Sequence, residues 1–154
     1  MMAELIFRPA VGEDLNRLRD IAFRAYAKYV SRIGREPAPM VADFAAHIVR
    51  NEIIVAVSDD VVCGYIVSFP RVEDFFIENV AVDPDAAGTG IGRALMSHAE
   101  KAARAAGCNL VRLYTNVKMH ENFPFYEALG YLKTHDVTES GFHRVYFEKA
   151  LEQA

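Results

Sequence analysis

Three alternate glycines, Gly88, Gly90 and Gly92, stand where an apolar run ending Val80-Ala81-Val82-Asp83-Pro84 gives way to an alanine-rich segment opening at Ile91. Glycines at a strand-to-helix junction let the backbone approach a ligand, and the first turn of a helix leaves N–H groups with no internal partner. Those donors and the positive end of the helix dipole favour an anion, most naturally a phosphate or pyrophosphate. The better-known phosphate loops fit badly. A GxGxxG fingerprint begun at Gly88 needs glycine where Arg93 stands, and begun at Gly90 it needs Gly or Ala where Leu95 stands. A P-loop needs Gly-Lys-Ser/Thr, and here Gly92 is followed by Arg93 and Ala94. By spacing alone the glycines also fit a tight turn with no ligand.

Other reactive groups are sparse. The five histidines show no HExxH or other metal-ligand spacing, so no metal site is expected. Cys63 and Cys108 form no CxxC pair and read as small core residues. At 154 residues, 52% apolar and 25% charged, residues 1–154 are expected to form one globular domain able to bury a core without disulfides. A net charge of −4 from 17 basic and 21 acidic side chains argues against nucleic acid as a partner. Val61 to Val67, the longest apolar run, is seven residues long, against the ~20 a membrane helix needs, so no membrane partner is expected. The opening MMAELIFRPA has an acid at Glu4 and no basic region before an apolar stretch, which predicts no secretory leader and a cytoplasmic protein.

The elements that must position the glycine loop follow from periodicity. Leu5 to Arg8 reads as a first strand ended by Pro9. Leu15, Leu18, Ala22, Ala25, Tyr26 and Tyr29 predict a helix over about 13–30, with Glu13 and Asp14 in its first turn, broken by Gly34, Pro37 and Pro39. A shorter helix is expected over about 41–50, with Phe44, Ala45 and Ile48 on one face. Residues 53–57 and 61–69 read as strands around the turn Ser58-Asp59-Asp60, and 75–82 as a further strand. The long helix from Ile91 carries the stripe Ile91, Leu95, Ala99, Ala102 and Ala106, with Arg93, Ser97, Glu100, Lys101 and Arg104 facing away, and Gly107 ends it. A strand over 110–115, a helix over 122–129 and a strand pair around Glu139-Ser140-Gly141 complete a mixed α/β order, β-α-α-β-β-β-α-β-α-β-β.

In this order the motifs resemble the GNAT N-acetyltransferases along nearly the whole chain. Glu78 to Pro84 followed by GxGIG is similar to that family's acetyl-CoA motif. Asn122 to Tyr131, with Tyr126-x-x-x-Gly130-Tyr131, resembles its second CoA-side motif, and Ile6 to Ala10 with Glu13-Asp14-Leu15 resembles its N-terminus. The resemblance implies a central, mostly antiparallel twisted sheet of about six or seven strands flanked by about four helices. It implies acetyl-CoA as cosubstrate, held by Val80, Ala81, Val82, Ala87, Gly88, Thr89, Gly90, Ile91, Gly92, Arg93, Asn122 and Phe125. Two positions depart from the family's pattern. Ala87 stands where Arg or Gln is usual, and losing one charge-assisted hydrogen bond costs about 1.5–3 kcal/mol. Met119 stands where many relatives have Asn, whose bonds to the cofactor arm would pass to Asn122 or Asn116.

The implied reaction is direct attack of an amine on the thioester in a ternary complex, the acceptor being a small-molecule or peptide amine. An ammonium of pKa about 10.4 must first lose its proton. Glu78, which interrupts an apolar strand, is the leading base, directly or through a water, with His120 as the other candidate. The Val80 N–H would meet the oxyanion, and Tyr126 matches the family's general acid for the departing thiolate. Tyr26 and Tyr29 read as core, and Arg32 and Arg35 as solvated or facing an anionic acceptor. A non-catalytic acyl-CoA-binding module of the same fold is the alternative, and a homodimer is compatible with either.

Overall fold

The computed structural model describes residues 4–152, so the first three residues of the opening segment and the last two of the chain lie outside the description. Seven strands form one sheet in the order β1-β2-β3-β4-β5-β7-β6. They are β1 (Leu5–Pro9), β2 (Ile53–Ser58), β3 (Val61–Pro70), β4 (Phe75–Val82), β5 (Leu110–Asn116), β6 (Leu132–Glu139) and β7 (Phe142–Ala150). Every neighbouring pair is antiparallel except β4 and β5, which run parallel. The hairpins β2–β3 and β6–β7 turn on two residues each, Asp59-Asp60 and Ser140-Gly141, all with positive φ. That conformation matches the twist of the flanking strands.

Helices cover both faces. On one, α4 (Ile91–Ala105) and α5 (Asn122–Ala128) pack over a core that includes Ile66, Ile77, Leu95, Met96, Leu113, Tyr131 and Phe147. On the other, α1 (Leu15–Tyr26), its continuation α2 (Val30–Ile33) and α3 (Phe44–Val49) pack over Leu18, Ile21, Phe44, Val55, Tyr65 and Val67. No described helix is long and apolar enough to cross a membrane. The mixed α/β layout expected from the element order is the one observed.

Four local expectations change. The first helix is segmented: a 3₁₀ turn at Gly12–Asp14 leads into α1, and a second at Ala27–Tyr29 separates α1 from α2. Asp14 is buried rather than a simple first-turn charge, accepting from Arg8 at 2.8 and 3.1 Å and from the Val11 N–H at 2.8 Å. On α3 the inward positions are Phe44, His47 and Ile48, while Ala45 is exposed. On α4 the buried stripe is Ile91, Leu95, Met96, Ala99 and Ala103, Ala106 is exposed, and Glu100 points inward instead of away. Glu100 accepts from the Tyr131 hydroxyl at 2.9 Å and from Lys149 at 3.0 Å, the pairing a buried carboxylate requires.

The seating of α4 on the sheet depends on Gly64 in β3. A Cβ there would lie 3.1 Å from the Ala81 carbonyl oxygen, 3.1 Å from Ile91 Cγ2 and 3.2 Å from Leu95 Cδ1. The backbone oxygen cannot retreat without disturbing β4. Gly64→Ala is therefore expected to destabilise the fold by about 1–3 kcal/mol through overpacking, read as a lower midpoint of chemical denaturation.

Candidate active site

The parallel pair β4–β5 is short. Pairing covers only Phe75 to Ile77 against Val111 to Leu113, after which the strands diverge and leave the second half of β4 without a neighbour on that side. Against β3, Val67 pairs with Asn79 and Ser68 with Ile77, so Glu78 is the extra residue of a bulge. Beyond it, the Asp83 N–H donates to the Cys63 carbonyl at 2.8 Å, which fixes the phase of the ladder. Alternation along an antiparallel pair then turns the backbone groups of Ala81 to β3 and those of Val80 and Val82 to the open side. The Tyr26 hydroxyl confirms that direction by donating to the Val80 carbonyl at 2.7 Å from α1.

At the end of β4 the loop is anchored by Asp83. Its carboxylate accepts from Arg17 at 2.5 Å, Arg24 at 2.6 Å and the Asp85 N–H at 2.9 Å. Burial opposes ionisation here, but the Asp85 N–H and the two guanidinium groups outweigh it and hold the carboxyl below its usual range. Gly90 then enters α4 with φ +85, a left-handed conformation that other residues adopt only with strain, and no side chain caps the helix. The first N–H groups of α4 thus face outward as donors.

Loop, splay and the α1–α2 junction enclose a cavity of about 500 Å3. Of the residues expected on the cofactor side, Val80, Ala81, Val82, Ala87, Gly88, Gly90, Ile91, Gly92, Arg93, Asn122 and Phe125 line it. Thr89 does not, since its hydroxyl donates to the Ala86 carbonyl at 2.6 Å and ties the loop to itself. Lys28, which the sequence reading passed over, also lines it, with its ammonium 5.0 Å from the centroid of the Tyr29 ring. Met119 is buried among the residues on the α1 side of the sheet.

Tyr126 lies where this cavity meets a second one on the far side of the splay, and it lines both. Phe125, Tyr131 and Phe147 hold its ring at centroid distances of 5.3, 6.3 and 5.9 Å. Burial pushes its phenol well above the ordinary range, so the hydroxyl stays a proton donor at any physiological pH. Tyr26 and Tyr29 belong to the α1-side core as expected, and Tyr26 also lines both cavities, with its hydroxyl engaged at Val80.

The second cavity is lined by Glu78, Asn79, Tyr114, Phe142 and Arg144 among others. Glu78 Oε2 lies 2.7 Å from His47 Nε2, and His47 Nδ1 lies 2.8 Å from Glu52 Oε1. His47 escaped the sequence reading, although its i+3 spacing from Phe44 was the available signal. Arg144 stacks over Tyr114 at 4.2 Å and faces Glu139 only at 3.7 Å. His120 is two-thirds exposed, beside Glu121 at 3.3 Å, and lines neither cavity. Arg32 donates to the Lys118 carbonyl at 2.9 Å and pairs with Glu121 at 2.5 Å, while Arg35 stacks over Phe142 at 4.1 Å.

Comparison with known proteins agrees with this architecture. Residues 15–131 match the Acetyltransferase (GNAT) family. Among curated proteins, the chain is 39% identical over 59 residues to aminoalkylphosphonate N-acetyltransferase of Salmonella typhimurium, covering 38% of each. It is 42% identical over 55 residues to glucosamine 6-phosphate N-acetyltransferase of Trypanosoma brucei brucei, covering 36% of this chain and 35% of that protein. The chain thus spans little more than a third of the length of these relatives. The crystal structure of PaiA N-acetyltransferase from Thermoplasma acidophilum in complex with coenzyme A superposes with a TM-score of 0.80 at 20% identity, covering 96% of this chain and 99% of that one.

Proposed function

This chain belongs to the Acetyltransferase (GNAT) family, and on that premise we propose that it transfers an acetyl group from acetyl-CoA to an amine. The observation that carries the proposal is the splay: β4 presents the backbone of Val80 and Val82 to a cavity that opens at one end onto the uncapped start of α4 and meets Tyr126 at the other. Those features suit a long anionic cosubstrate with a polar arm. The N–H groups at the start of α4, with Arg93 beside them and Lys28 lining the same cavity, would take the pyrophosphate, and the strand edge would pair with the pantetheine arm. When bound, acetyl-CoA supplies an activated acyl group and a thiolate leaving group.

The chain's own residues divide the remaining work. Glu78 takes the proton from the acceptor ammonium, directly or through one water. The Val80 N–H donates where charge gathers on the carbonyl oxygen. Tyr126 gives a proton or a hydrogen bond to the departing sulfur. Arg144, held by stacking and only weakly paired, stands in the same cavity as Glu78 and suits an acceptor that carries an anionic group beside its amine. The names of the two curated relatives describe acceptors of that kind, an aminoalkylphosphonate and a sugar amine phosphate.

Lys28→Ala is expected to weaken acetyl-CoA binding about two- to fivefold and to make the remaining affinity less sensitive to salt, because an exposed cation contributes modestly and is screened. The activity itself is tested by acceptor-dependent release of free CoA thiol across amines with and without an anionic substituent. Turnover with any of them supports the proposal. Tight acetyl-CoA binding with no turnover on any amine would favour the non-catalytic binding module.

A further inference from the structure

Glu78 does not stand alone in its cleft. His47, on α3, meets it through Nε2 at 2.7 Å and meets Glu52 through Nδ1 at 2.8 Å. The imidazole is only 10% exposed and stacks on Phe69 with ring centroids 6.3 Å apart and planes 15° from parallel, so packing fixes its orientation. A neutral imidazole has one N–H and can satisfy only one of two carboxylates. The Nδ1 contact has the geometry of a hydrogen bond, and the Nε2 approach to Glu78 is a close polar contact. The other charged or titratable side chains lining this cleft of about 330 Å3 are Asp43 and Arg50 at the two ends of α3 and Tyr114 of β5. Asp43 is engaged as the cap of α3, accepting from the Ala46 N–H at 3.1 Å, which leaves Glu52 as the carboxylate that orients the ring.

We propose that His47, oriented by Glu52, is a positioning residue for Glu78: its close contact at Nε2 holds Oε2 and leaves Oε1 free for the acceptor's proton. This rests on the assignment of Glu78 as base. The bulge in β4 makes such a device necessary, since an extra residue re-aims its side chain away from the regular ladder and gives it no cross-strand neighbour to fix it. Glu78 is about one-third exposed, so without His47 its carboxylate would sample several rotamers. In the step that uses it, one N–H bond of the ammonium breaks and the proton goes to Oε1, while the electron pair stays on nitrogen as the nucleophile. The contact with His47 neither gains nor loses a proton.

The test compares wild type with His47→Ala, His47→Gln and Glu52→Gln. His47→Ala should lower kcat about tenfold, the worth of one orienting contact to a charged group, with acetyl-CoA affinity unchanged. His47→Gln, which keeps a polar N–H group at the same place, should restore most of kcat. Crystal structures should show the Glu78 side chain in one rotamer in the wild type and in several in His47→Ala and Glu52→Gln. Wild-type kcat in His47→Ala would overturn the proposal, as would loss of acetyl-CoA affinity in step with kcat, or a single unchanged Glu78 rotamer in that variant. A wild type that releases no CoA with any amine overturns the acetyltransferase reading instead, and the Glu78 rotamers still decide the positioning role.

Discussion

Glu78→Gln is expected to lower kcat about 10²- to 10⁴-fold at neutral pH, the span of a general base, while acetyl-CoA affinity stays within about twofold of wild type. The amide is nearly isosteric and can still meet His47, so the bulge at the divergence of β4 from β5 keeps its shape. What disappears is an acceptor for the ammonium proton. An amine of pKa about 10.4 is almost wholly protonated at pH 7, and its free-base fraction rises tenfold per pH unit. The variant's rate should therefore climb with a slope near one from pH 7 to 10, and the gap to wild type should narrow. Steady-state kinetics with a saturating amine over that range checks the expectation, and a constant ratio across it would remove Glu78 from the role.

Tyr126→Phe is expected to lower kcat about 10- to 100-fold, the loss of one hydrogen bond to a developing thiolate. Phenylalanine keeps the ring that packs against Phe125, Tyr131 and Phe147, so thermal stability should be little changed. The pH signature differs from that of Glu78. Burial holds the Tyr126 phenol well above its ordinary range, so the hydroxyl is present as a donor from pH 6 to 9. The loss should be uniform over that window. A thioester with a more acidic thiol leaving group should reduce it, because such a thiolate needs less help.

Much of this arrangement was legible in the chain. Alternate glycines between a β-branched run and an alanine-rich helix located the loop, and Asp59-Asp60 and Ser140-Gly141 marked the two tight hairpins. The splay was not legible. It depends on how far β4 and β5 stay paired, and α4 separates them in sequence, so no local pattern encodes the point of divergence. His47 and Glu100 were missed for a related reason. A charged or titratable residue at an inward helical position looks out of place until its partners are known, and those partners, Glu78 for one and Tyr131 and Lys149 for the other, lie 31 to 49 residues away along the chain. Lys28 lines the cofactor-side cavity only because α1 and the glycine loop close on one another, a tertiary fact invisible to periodicity.

The central claim is that the splayed strand and the uncapped helix hold acetyl-CoA, and calorimetric titration of the folded protein with acetyl-CoA, NAD and ATP tests it most directly. The account predicts one site per chain with micromolar affinity for acetyl-CoA and markedly weaker heats for NAD and ATP. Absence of acetyl-CoA binding by a protein shown to be folded, or equal binding of all three nucleotides, would contradict it.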